Sequence, residues 1–163
     1  MLQAVDRLLG PLARSLHLLA AVWLFLLAFL ILADVVGRGL FDAPIQGTPE
    51  LVANSIVAIA FLQLAHSIRV GGMLRTDILE AILPAGARRW LRALGYLVGI
   101  AFFLALAYAT WEPMLRAWEI REYQGEGALR VPTYPVRTII LLTSVLAALA
   151  YLGLAAKALR GAD

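Results

Sequence analysis

The sequence predicts an all-α membrane protein: four transmembrane helices, an N-terminal amphipathic helix, and a short amphipathic surface helix between spans two and three. Three observations carry this. Hydrophobic residues make up 62% of the 163 positions and charged ones 15%, with a mean hydropathy of +0.83. A soluble domain carries about 25% charged residues, so the composition points to lipid. The apolar residues fall into four runs long enough to cross hydrocarbon, and the charges cluster at the ends of those runs. The length suits one four-span domain over residues 1–163, with spans near 16–40, 49–69, 90–113 (continuing to about 123) and 135–157.

With no cysteine, disulfides, thiolate metal sites and a cysteine nucleophile are excluded. The pI near 9.7 does not imply nucleic acid, because the basic residues flank the apolar runs. No cofactor is expected.

Leu2, Val5, Leu9, Leu12 and Leu16 recur at spacings of three and four, with Gln3, Asp6, Arg7 and Arg14 between them. Two readings stand: an amphipathic helix lying in the membrane interface or on a partner, and an extension of the first span. Pro11 either kinks this stretch or marks a new first turn. Span one then runs from Leu16 to Ala33, with His17 as its one ionisable residue, read as interfacial and not as a metal ligand.

The stretch between Asp34 and Glu50 links spans one and two and holds the densest membrane-edge charge of the first half: Asp34, Arg38, Asp42 and Glu50. Such charges must pair or reach water. Asp34 and Arg38 are spaced to pair on one helix, and Arg38, Glu50 and Arg137 are expected at similar depth on three helices, within pairing reach across helices or subunits. Thr48 is the expected N-cap of span two, with Pro49 in the first turn and Glu50 at the positive end of the helix dipole. Asn54, Ser55, Gln63 and His66 make this the most polar span, which should therefore face protein.

Gly71 and Gly72 should break the second helix. The pattern from Leu74 to Ile82 predicts the short surface helix, capped by Thr76 or Asp77 and closed before Pro84. Arg88, Arg89 and Arg92 mark re-entry. Trp90 and Trp111 lie 21 residues apart, about 32 Å along a helix, as the two ends of an aromatic belt. Beyond Trp111 the third helix should continue past Pro113, lined by Glu112, Arg116, Glu119, Arg121, Glu122 and Glu126, until Gly125 and Gly127. Glu112 and Arg116 form a favourable i, i+4 pair. The fourth span occupies Thr138 to Ala156.

Counting Lys and Arg by side gives nine against five, which places both termini in the cytoplasm; seven of the eleven acids fall outside. The central thirds of the spans carry no charge, the histidines share no metal-ligand spacing with a carboxylate, and no Gly-rich phosphate loop is present. These features point away from an enzyme and from a carrier acting alone.

Two motifs in order resemble the DctQ-like family, the small membrane subunit of tripartite ATP-independent periplasmic (TRAP) transporters. The first is D-V-V-G-R over Asp34–Arg38, followed by G-T-P-E-L from Gly47. The second is R-V-G-G-M-L-R-T-D over Arg69–Asp77, in which Met73 stands where the family tends to show histidine. The resemblance implies two protein partners: a large multi-span transport subunit, driven by sodium, and a periplasmic solute-binding protein that captures an organic acid. It implies a bacterial-type inner-membrane location and no catalytic activity. It assigns Asp34, Arg38, Glu50, Arg69, Asp77 and Arg137 to a partner interface or structural charge cluster, and Glu112, Glu119, Glu122 and Glu126 to contact with the binding protein. The alternative is a stand-alone four-span protein, either a small multidrug exporter or a glutathione-type membrane enzyme.

Overall fold

The structure is a computed structural model that describes residues 2–71, 84–125 and 130–160. Four helices dominate it: α1 (Leu2–Phe41), α2 (Thr48–Arg69), α3 (Ala85–Glu119) and α4 (Tyr134–Arg160). All four are long and apolar enough to cross a membrane. Between α3 and α4, strands β1 (Tyr123–Gln124) and β2 (Val131–Pro132) pair antiparallel, with Tyr123 opposite Pro132 and Gln124 opposite Val131. The surface helix expected over 74–83 lies outside the described residues.

The N-terminal stretch is not a separate helix. It is the beginning of α1, which runs 40 residues, about 60 Å, straight through Pro11. One proline removes one backbone bond, and the leucine- and alanine-rich turns on both sides are strong enough helix formers to carry the helix across.

Thr48 is not the N-cap of α2. That position belongs to Gly47, held at φ 79, a left-handed conformation that costs glycine little. The Thr48 hydroxyl instead donates to the Ile45 carbonyl at 2.9 Å, and its backbone joins the first turn. At the other end α2 stops at Arg69, ahead of Gly71.

The third helix also ends earlier than its glycines suggested. It stops at Glu119: Ile120 N–H bonds to the Arg116 carbonyl and Glu122 N–H to the Ala117 carbonyl at 2.9 Å, with Arg121 between them at φ 50. This is a left-handed helix stop built on arginine where glycine is usual. Arg121→Gly is therefore expected to raise stability by about 1 kcal/mol, checked by thermal unfolding in detergent.

Helices α2 and α4 form the centre, α1 leans on α2, and α3 leans on α4. Ala20, Leu27, Ile59 and Leu62 pack the α1–α2 seam. Small residues let α2 and α4 approach: Ala58 and Ala65 on one side, Ala147, Ala148 and Ala150 on the other are all buried. Phe103 fills the space between α3 and α4 and stacks on Tyr151, with ring centroids 5.9 Å apart. Where hydroxyls or indoles fall inside the packing they find partners, as when Trp23 Nε1 donates to Ser55 Oγ at 3.2 Å across the α1–α2 seam. The outward faces of α1 and α3 remain apolar and exposed, among them Phe25, Phe29, Leu97 and Phe102.

Candidate functional site

Antiparallel pairing of α1 with α2 and of α3 with α4 brings both turns to one end of the molecule, and five of the ten candidate charges, Asp34, Arg38, Glu50, Glu122 and Arg137, gather there. Asp34 sits in the last turns of α1 and is only 6% exposed. A buried carboxylate must be bonded on both oxygens. Its Oδ2 accepts from Arg38 Nη2 at 2.8 Å, and its Oδ1 accepts from the backbone N–H of Ile45, also at 2.8 Å. The carboxylate thus staples the α1–α2 turn, while the Arg38 side chain remains 61% exposed. Asp42, at φ 49, turns the chain out of α1.

Glu50 occupies the first turn of α2. Its carbonyl accepts from Asn54 Nδ2 at 2.9 Å, and the same amide reaches Gln124 Oε1 at 2.8 Å, tying α2 to β1. Arg137, one turn into α4, does not pair with Glu50 among the described residues. It forks onto Glu122: Nε donates to Oε2 at 2.6 Å and Nη2 to Oε1 at 3.0 Å. Thr133 Oγ1 adds a third donor to the same carboxylate at 2.7 Å, and Thr133 N–H bonds the Glu122 carbonyl. This clamp closes the α3–α4 turn much as Asp34 closes the other.

The bidentate Arg137 guanidinium, helped by the Thr133 hydroxyl, holds the Glu122 carboxyl below the usual glutamate range. A carboxyl whose folded pKa is depressed contributes stability above its ordinary value of 4.5 and loses that contribution as pH falls through the lower folded value. In thermal unfolding, Glu122→Gln is expected to cost about 1 kcal/mol at pH 7, a modest figure because the pair is partly solvated, and the gap should close in the acid range below 4.5.

Asn54, Val57, Glu122, Gln124, Thr133 and Arg137 line part of a crevice of about 220 Å³ between α2, β1 and α4. Beside the clamp, Trp118 Nε1 donates to Thr138 Oγ1 at 2.9 Å, and its ring lies 4.5 Å from that of Tyr134.

The remaining candidates stand apart. Glu112 and Glu119 are exposed on α3, and the expected Glu112–Arg116 ion pair is not formed among the described residues. Both side chains are solvated, where such a pair adds only about 0.3–0.5 kcal/mol. Arg69 lies at the opposite end of the molecule, with its guanidinium close to Gly10. Asp77 and Glu126 lie outside the described residues. Also at that far end, His17 and His66 stack with ring centroids 4.5 Å apart and an interplanar angle of 21°. Among the described residues no three His, Asp or Glu side chains converge on a metal-sized space.

Sequence reasoning missed the Ile45 N–H, Thr133 and the stacked histidines. A backbone donor leaves no trace in composition, and the other two depend on which helices become neighbours.

The family model described as "Tripartite ATP-independent periplasmic transporters, DctQ component" matches residues 27–161. No curated protein matches the chain. The matched region contains both turn clamps, the end of α1 and the whole of α2, α3 and α4. The protein belongs to the DctQ family, the small membrane component of TRAP transporters, and is not an enzyme.

Proposed function

We propose that this chain is the accessory subunit that braces the large multi-span transport subunit of a sodium-driven TRAP system for organic acids. The observation that carries the proposal is where charge lies. The middle of every helix is free of charged residues, so a coupled ion or an anionic solute would find no ligand there. Two ion pairs, Asp34–Arg38 and Glu122–Arg137, close turns. A chain that spends charge on its own rigidity suits a scaffold.

On this reading the protein lies in a bacterial-type inner membrane with both termini in the cytoplasm, as the nine-to-five distribution of basic residues favours. The turn end then faces the periplasm. Arg38, anchored through one nitrogen and otherwise exposed, offers its remaining donors to the large subunit, with Glu50 and Arg137 on the same rim. Arg69 and Asp77 would serve the cytoplasmic side of that interface. Glu112 and Glu119, exposed on α3, would meet the solute-binding protein, as would Glu126, which lies outside the described residues. Glu122 has its carboxylate committed to Arg137 and is a structural member of the group.

The test is purification from native membranes in mild detergent. A stoichiometric large multi-span protein is the expected companion, and Arg38→Ala should weaken its retention. A homo-oligomer alone would overturn the proposal. Charge reversal at Glu112 and Glu119 that left transport unchanged would remove the binding-protein contact.

A further inference from the structure

Between its first turn and Arg69, α2 carries five polar side chains: Asn54, Ser55, Gln63, His66 and Ser67. Three are used inside the chain. Ser55 accepts from Trp23, Asn54 reaches the Glu50 carbonyl and Gln124, and His66 stacks on His17. Gln63 and Ser67 are different. They fall on the side of α2 that neither α1 nor α4 covers, in line with exposed Ala53, Ile56 and Ala60. Both are half-buried, and neither makes a side-chain hydrogen bond among the described residues.

Gln63 lies six residues from the end of α2, about 9 Å along the axis, and so within hydrocarbon depth. Its amide has two N–H donors and a carbonyl acceptor, none of which an acyl chain can satisfy. By contrast the open faces of α1 and α3 present Leu18, Val22, Phe25, Leu97, Val98 and Phe102, which suit lipid. Alanine and serine beside Gln63 leave room for a second backbone to come close, and polar side chains at such contacts bond across helices.

We propose that the α2 face formed by Ile56, Ala60, Gln63 and Ser67 seats one transmembrane helix of the large transport subunit, and that this helix brings a hydrogen-bonding side chain to the Gln63 amide. The placement rests on the accessory-subunit reading and narrows it to one surface. The rim charges then orient the complex, and the α2 face holds it within the bilayer.

The absence of native cysteine makes the test direct. Single cysteines are introduced at Ala60 and Ser67, with Phe25 and Val98 as lipid-facing controls. The complex with the large subunit is labelled with a thiol-attached benzophenone and irradiated in the membrane. Ala60→Cys and Ser67→Cys should give adducts at the summed mass of the two subunits, and Phe25→Cys and Val98→Cys should not. In parallel, Gln63→Leu should weaken retention of the large subunit about tenfold in a detergent wash, the scale of one interhelical hydrogen bond, while the melting temperature of the isolated chain stays unchanged. A large subunit that co-purifies but crosslinks only through Phe25 or Val98 would overturn the placement alone. So would adducts between two copies of this chain, or only lipid adducts at Ala60 and Ser67. A wild-type preparation without any large multi-span protein would overturn the subunit reading and the placement with it.

Discussion

Asp34→Ala is expected to cost about 2–3 kcal/mol of stability in detergent, far more than Arg38→Ala. The asymmetry follows from what each side chain leaves behind. Loss of the carboxylate strands the Ile45 N–H in a part-buried turn, a penalty of about 1–3 kcal/mol. Loss of the ion pair adds at most about 1 kcal/mol, because the Arg38 side chain is 61% exposed and reaches water once released. Arg38→Ala removes only this smaller part. Asp34→Asn keeps an oxygen for Ile45 and should lie between the two. Equal losses for Asp34→Ala and Arg38→Ala would show that the ion pair, not the backbone staple, holds the turn.

Gly99→Leu should cost about 3 kcal/mol, and Gly99→Ala about 1 kcal/mol, through overpacking of the α3–α4 seam. A Cβ at Gly99 would stand 3.0 Å from three atoms of the Tyr151 ring. That ring cannot retreat freely, since Phe103 stacks on it and Tyr96 flanks it at a centroid distance of 6.3 Å. A methyl group demands a shift of a few tenths of an ångström, whereas a leucine must displace the ring altogether. Thermal unfolding of both variants, with Gly95→Ala as a control at an open position, checks the gradation. If Gly99→Ala proved as stable as the wild type and Gly99→Leu nearly so, the seam would be looser than its geometry states.

Much of this architecture could be read before folding was considered, and the reason is locality. An apolar run of some twenty residues has few ways to satisfy its backbone in lipid other than as a helix, so the four spans were legible. The Asp34–Arg38 pair was legible too, because four residues are one helical turn. What escaped were contacts that depend on neighbours distant in sequence. Gln124 meets Asn54 across 70 residues, and nothing in either sequence neighbourhood announces the other. Glu122 looked like one more acid on a charged helical extension, but the stop at Arg121 turns it away from that row and towards Arg137. That stop was hidden because a left-handed arginine is indistinguishable in sequence from a helical one. Thr48 misled for a related reason: its hydroxyl can serve either a cap or the turn before it, and the position of Ile45 decides.

The two turn clamps bear on how the chain is made. The links Asp34–Ile45 and Thr48–Ile45 join residues at most 11 apart, and the Glu122–Arg137 and Trp118–Thr138 links span at most 20. Each helix pair can therefore lock as soon as its own turn is complete, without waiting for the rest of the chain. Biogenesis then reduces to two hairpins entering the bilayer in succession and meeting along the alanine-lined boundary of α2 and α4. A chain severed between Val70 and Pro84 would carry both locks intact, one in each half, and the halves would retain the surfaces by which they find one another.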